Sequence, residues 1–302
     1  MKRPRFGAHC SIAGGHHNAF RLAREAGCEC MQIFVKNQRQ WRAGPLTEED
    51  VSLWNEARRG SGIEPVIGHG TYLINLASPD ESLWRRSIAA FIDELTRCEQ
   101  LGIRWHVTHP GAHRGAGTRA GIRRVVRALN EIERATRGCR AGTLLEVTAG
   151  QGSSIGCRIE EIAAILGGVR DGSRVGICLD TCHLFAAGYE IADPAGYHAV
   201  MDELDRLVGL KRVRCIHMND SLRPRGSQTD RHTHIGRGRI GRQGFANFIN
   251  DPRLREVPMI LETPKGRDPH GRDWDRLNLA ALRRLARSQG ENPAVPSGPP
   301  AG

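Results

Sequence analysis

Residues 143–148 read TLLEVT and residues 175–180 read VGICLD, two β-rich apolar runs with a helical stretch near 158–168 between them. A short apolar strand, a longer amphipathic segment and a second strand form the pattern of a parallel βαβ unit. The same alternation extends in both directions. Toward the N-terminus lie strand candidates at 5–10 (RFGAHC), 29–35 (ECMQIFV), 64–69 (EPVIGH) and 104–109 (RWHVTH). Toward the C-terminus lie 212–218 (RVRCIHM) and 257–263 (VPMILET). Helical stretches are expected near 15–27, 47–60, 81–101, 119–137, 194–209, 242–250 and 273–288. Eight strand–helix units in under 300 residues predict a closed (β/α)₈ barrel of the TIM type, with an active site at the C-terminal face of its strands.

Local signals agree with these elements. Thr47-Glu48-Glu49-Asp50 reads as an N-cap followed by an acidic first turn, and Pro79-Asp80-Glu81 opens the next helix in a similar way. Gly102 and Gly138 stand where helix C-caps are expected. The expected domain is a single barrel over 1–288, followed by a Pro/Gly-rich tail, 289–302, expected to be disordered.

Composition narrows the class. Hydrophobic content of 39% with 25% charged residues describes a soluble globular chain. No run approaches the length of about 20 apolar residues that spans a bilayer, so no membrane association is expected. The basic start, Met1-Lys2-Arg3-Pro4-Arg5, has no apolar segment after it, so a signal peptide is not expected and a cytoplasmic location is. Nine cysteines without a Cys-x-x-Cys pair argue against a zinc ribbon or a thioredoxin-type site and for reduced, packed thiols. The net charge of +11 permits a polyanionic partner, although a bias toward arginine codons gives the same composition, since only four of 44 basic residues are lysine.

The chemistry gathers at the strand ends. The third strand ends in His69 and the fourth in His109. The fifth carries Glu146, the sixth ends in Asp180, the seventh carries His217 and the eighth carries Glu262. One strand-end histidine is more often a hydrogen-bonded structural residue than a ligand. Six ligand-type residues on one rim carry the argument together. Mixed imidazole and carboxylate donors suit zinc or manganese and exclude an all-oxygen calcium site. Asp180 and His183 stand three apart across a strand-to-helix turn, and Asp230 and His232 stand two apart, on one side of an extended loop. Nine donors exceed the needs of one tetrahedral ion, so two or three ions sharing a bridging carboxylate are expected. Such a centre points to phosphoester hydrolysis, and the basic surface fits that substrate. The alternatives weighed are a sugar isomerase on the same barrel, with one or two divalent ions, and a non-catalytic DNA-binding protein.

The motifs GAHCSIAGG (7–15), KNQRQW (36–41), YLINLA (72–77), HPGAH (109–113), LDTCHLFAAGYEI (179–191), HMNDS (217–221), DRHTHIGRGRIG (230–241) and ETPKG (262–266) resemble those of the endonuclease IV family of apurinic/apyrimidinic endonucleases, from about Gly7 to about Arg287. The resemblance implies a DNA-repair enzyme with three zinc ions, open to partial replacement by manganese. It would cut duplex DNA 5′ to an abasic site, leaving a 3′-hydroxyl, with a metal-bridging hydroxide as nucleophile. It implies that His69, His109 and Glu146 hold one ion, and that Glu146 bridges to a second held also by Asp180, His217 and Glu262. His183, Asp230 and His232 would hold the third. Glu146 and Glu262 would carry catalytic roles, with the proton acceptor left open between them. Arg39, Tyr72 and Leu73 match the positions that enter the duplex at the lesion, while Trp41 is expected to pack. The chain would act as a monomer, with duplex DNA as its partner and no obligate protein partner. Three positions depart from the family pattern: Val147 in place of a common Asn, Gly70 in place of a polar residue, and Arg237 at an often acidic position. His9, His113 and His234 are expected to be structural or to support the ligands from behind.

Overall fold

The computed structural model describes residues 3–286; the tail expected at 289–302 lies outside them. Eight parallel strands close into a barrel: β1 (Phe6–Cys10), β2 (Cys30–Phe34), β3 (Val66–His69), β4 (Trp105–Thr108), β5 (Gly142–Glu146), β6 (Val175–Asp180), β7 (Val213–His217) and β10 (Met259–Leu261). Their spatial order is β1-β10-β7-β6-β5-β4-β3-β2, and β1 pairs with both β2 and β10, which leaves no free edge. The helices α1 (Asn18–Ala26), α2 (Glu48–Arg59), α3 (Glu81–Gln100), α4 (Thr118–Ala135), α5 (Ile159–Gly168), α7 (Pro194–Leu207), α8 (Gly241–Asn250) and α9 (Trp274–Leu285) follow the strands. Their bounds match the expected ones to within about three residues.

Short-range chemistry sets the helix starts. The Thr47 hydroxyl accepts the Asp50 N–H while the Asp50 carboxylate accepts the Thr47 N–H, which closes a capping box on α2. Asp80 caps α3 by accepting the Leu83 N–H at 2.7 Å.

Besides three single 3-10 turns, a short helix and a small strand pair escaped the sequence reading. A seven-residue helix, α6 (Thr181–Ala187), follows β6 directly, and every one of its residues is buried. A helix buried on all sides has no polar face, so its sequence carries no amphipathic period. Asp180 caps it through the His183 N–H at 2.9 Å, and Gly188, at φ 111°, ends it. The other is a small antiparallel pair, β8 (Asp220–Ser221) with β9 (His232–Thr233), each only two residues long.

The barrel interior explains the placement of the site. Cys30, Ile67, Val107, Leu144, Cys178, Cys215 and Ile260, one from each of seven strands, form a buried apolar cluster separate from the core beneath the helices. Side chains in a strand alternate faces, so the residues two positions further on share that inward face at the C-terminal rim. Those residues are Gln32, His69, His109, Glu146, Asp180, His217 and Glu262, and the eighth strand supplies His9 above Gly7. A Cβ at Gly7 would lie 1.9 Å from the Cys30 carbonyl oxygen, so only glycine fits there.

Candidate metal centre

The nine sequence-predicted donors converge in three groups, two of which share Glu146. His69, His109 and Glu146 form one, Glu146, Asp180, His217 and Glu262 a second, and His183, Asp230 and His232 a third; within each, one donor atom per residue lies within 4.8 Å of the others. Glu146 belongs to two groups and is fully buried. Its Oε2 stands 3.1 Å from His109 Nε2 and 3.4 Å from His69 Nε2, while its Oε1 stands 3.0 Å from His217 Nδ1. Asp230 bridges the third group, with its oxygens 3.2 Å from His183 Nε2 and 3.1 Å from His232 Nε2. The short helix α6 and the β9 strand, neither legible in the sequence, carry His183 and His232 inward.

Groups behind the donors fix which nitrogen of each imidazole faces the centre. His69 Nδ1 donates to the Gly70 carbonyl at 2.8 Å, which turns Nε2 inward. His183 Nδ1 donates to the Val147 carbonyl at 2.9 Å. The Asn219 amide donates to Asp180 Oδ2 at 2.7 Å, and its oxygen accepts the Glu262 N–H at 2.8 Å. Gln32 and Asn219 were not singled out from the sequence. For Gln32 the available signal was its inward position two residues beyond Cys30.

Four carboxylates, Glu146, Asp180, Asp230 and Glu262, meet here, and every ion-pair partner of theirs among the described residues is an imidazole. Burial would strip protons from His183 and His217. Asp180 beside the first, and Glu262 and Glu146 beside the second, outweigh it and hold both well above the ordinary histidine value. Burial is likewise outweighed at His232, which Asp180 and Asp230 push up to about 9. Burial opposes ionisation of Glu146 and Glu262, yet both are held well below the usual carboxylate range, the first by His109 and His217 and the second chiefly by His217. Four carboxylates together, with Glu146 and Asp180 fully buried, call for cations: protons on the imidazoles or metal ions. Glu146 Oε2 and His232 Nε2 are buried without a hydrogen-bond partner, as expected of atoms that face an ion. The donor set therefore fits divalent metal of the zinc type.

The positions expected to meet DNA lie on the same rim. Tyr72 is 69% exposed, so ordinary packing does not account for it; its ring meets Phe34 edge-on at 5.8 Å and lies 6.5 Å from His69. Leu73 is half-buried and Arg39 exposed. Trp41 packs, with the Arg86 guanidinium 4.3 Å from its ring centroid. A cleft of about 1410 Å³ opens beside the centre, bordered by His9, Tyr72, Glu262, Lys265 and Arg276. The departures from pattern are accommodated. Val147 serves the centre through its carbonyl while its side chain sits in the core. Gly70 likewise uses its carbonyl, and a Cβ there would stand only 3.3 Å from Thr108 Oγ1. Arg237 lies over Trp274 at 4.6 Å, against which His234 stacks at 3.7 Å. His113 Nδ1 accepts the Gly117 N–H at 3.1 Å, and His9 lies 3.3 Å from Glu262.

Fold and donor sets together define a TIM barrel with a candidate metal centre at its C-terminal rim, and residues 20–286 match the family model described as the xylose isomerase-like TIM barrel. Sugar-processing barrels of that shape are similar in fold alone, such as a D-tagatose 3-epimerase-like protein at 17% identity and TM-score 0.69, covering 93% of this chain and 96% of that one. A second group of relatives is far closer. The chain is 51% identical over 282 residues to a probable endonuclease 4 of Chloroflexus aurantiacus, covering 93% of this chain and 98% of the relative. It is 47% identical to one of Geobacter sulfurreducens, covering 93% and 94%. The crystal structure of endonuclease IV from Thermus thermophilus superposes with a TM-score of 0.82 at 38% identity, covering 93% and 98%. The chain belongs to the endonuclease IV family of apurinic/apyrimidinic endonucleases.

Proposed function

We propose that this protein is a DNA-repair endonuclease that hydrolyses the phosphodiester 5′ to an abasic site in duplex DNA, leaves a 3′-hydroxyl and works with three zinc ions. The observation that carries the reading is the grouping of nine donors into three sets, two of them joined by the fully buried Glu146. In this reading His69, His109 and Glu146 hold one ion; Glu146, Asp180, His217 and Glu262 a second; and His183, Asp230 and His232 the third. Zinc, when bound, supplies Lewis acidity toward the phosphate and a hydroxide nucleophile near neutral pH.

The chain's own residues do the remaining work. Glu146 and Glu262 carry the catalytic roles, Glu146 joining two of the sets and Glu262 completing one of them. Asp180, with its second oxygen held by Asn219, keeps the junction rigid. The exposed ring of Tyr72, with Leu73 and Arg39, would enter the duplex and fill the gap left at the lesion. The net charge of +11 favours approach to the duplex. No helix among the described residues is long and apolar enough to cross a membrane. All nine cysteines are free, which supports a reducing, cytoplasmic setting. The protein is read as a monomer whose required partner is duplex DNA, with one barrel domain over 1–288.

The test is incubation of the purified protein with a duplex carrying one tetrahydrofuran abasic analogue, with metal analysis of the same preparation. The expected result is a nick 5′ to the analogue, a 3′-hydroxyl end and about three zinc ions per chain. An intact duplex from a zinc-loaded sample would falsify the assignment.

A further inference from the structure

Of the eight inward rim positions, six hold residues of metal-ligating type in the sets above, and the other two hold His9 and Gln32. Gln32, on β2, is fully buried, and its amide touches three groups at once. Its Oε1 lies 2.8 Å from His217 Nε2, and its Nε2 lies 2.5 Å from Glu262 Oε1 and 3.0 Å from His9 Nδ1. Donor and acceptor rules fix the direction of each bond. An ionised carboxylate only accepts, so Gln32 Nε2 must donate to Glu262. The amide oxygen then faces His217, which must donate from Nε2. Nε2 thus keeps its proton, and the lone pair that His217 offers to an ion falls on Nδ1, the nitrogen 3.0 Å from Glu146 and 3.2 Å from Glu262. Turning the amide over would set oxygen against carboxylate and N–H against N–H. The second amide hydrogen points to His9 Nδ1, which accepts it.

We infer that Gln32 is a positioning residue of the metal centre: one buried amide sets the tautomer of His217 and the orientation of Glu262 together. It thereby governs how tightly the set of Glu146, Asp180, His217 and Glu262 retains its ion. The inference rests on the metal reading proposed above. A residue that merely filled the barrel would be replaced by leucine or methionine without consequence for metal, since both occupy similar volume. Loss of partners behind metal ligands lowers affinity by about 10- to 100-fold.

The test uses the full chain as wild type, Gln32→Leu and Gln32→Met, with zinc as the probe in chelator-competition titrations. The expected result is an affinity lowered by about 10- to 100-fold for one ion in both variants, with the other two retained. In zinc-loaded protein the His217 Nε2–H proton should resonate as a slowly exchanging signal in the wild type and exchange faster in both variants. Melting in excess chelator, with melting points close to the wild type, shows that the metal-free variants are folded. Unchanged zinc affinity in a folded variant overturns the inference and leaves the metal reading standing. A wild-type protein that binds no zinc overturns both. Failure of both variants to fold would assign the amide to the barrel's own stability and overturn the inference as well.

Discussion

At the scale of single residues, Glu146 and Tyr72 separate chemistry from recognition. Glu146 is shared by two donor sets and has no exposure, so Glu146→Gln removes a charge that both sets use. Nicking should fall by at least about 100-fold, with zinc content reduced in the same preparation. Tyr72 lies outside all donor sets and is largely exposed. Tyr72→Ala should leave zinc content unchanged and the melting point nearly so, because exposed substitutions move stability by about 0.5 kcal/mol or less. Its effect should appear as weaker binding of abasic duplex in a titration; unaltered binding would remove Tyr72 from the DNA face. Val147 shows why a departure from pattern need not disturb a site. What the centre takes from this position is a carbonyl, which every residue has.

At the scale of elements, the segment after β9 depends on one buried carboxylate. Asp220 accepts four backbone N–H groups, those of Ser221 and Ile240 on Oδ1 and of Gly236 and Gly238 on Oδ2, at 2.9 to 3.0 Å. The cradle is tight enough that a Cβ at Gly238 would come within 2.4 Å of Asp220 Oδ1. Asp220→Ala leaves these donors without their acceptor, at about 1–3 kcal/mol for each one that stays buried. The β8–β9 pair that carries His232 should loosen, and zinc stoichiometry should drop from three toward two while the sets around Glu146 stay loaded. Metal analysis of the purified variant checks this, and three retained ions would show that the hairpin holds without the cradle. The barrel strands and the helices that follow them were legible because each has a solvent face or an apolar run of the right length. Helix α6 was not, because burial on all sides erases its period, and the β8–β9 pair was not, because two residues carry no alternation.

At the scale of the molecule, charge governs both approach to DNA and the response to pH. With a net charge of +11, binding of duplex should weaken steeply between about 50 and 200 mM salt. A flat salt response in a binding titration would mean that phosphate contacts contribute little. In chelator-treated protein His232 is raised to about 9 in the folded state, above its ordinary value of 6.5. The folded chain thus holds that proton more tightly than the unfolded chain. The stability this contributes is present in full below pH 6.5 and is lost as pH rises toward about 9. His69, His183 and His217 are shifted in the same direction. Melting points of the chelated protein should therefore fall over that interval, and a flat profile would contradict the linkage. The sequence by itself determined the barrel, since eight strand–helix units of these lengths close in one way, and it offered nine candidate donors, six by residue type and strand-end position and three by local spacing. The family resemblance implied how those candidates divide into sets with Glu146 shared; only the tertiary structure decided the distances within each set and that Gln32 backs His217 and Glu262. These depend on distances between residues as far apart as 230 positions in the chain, set by barrel closure and strand register, and no local pattern encodes them.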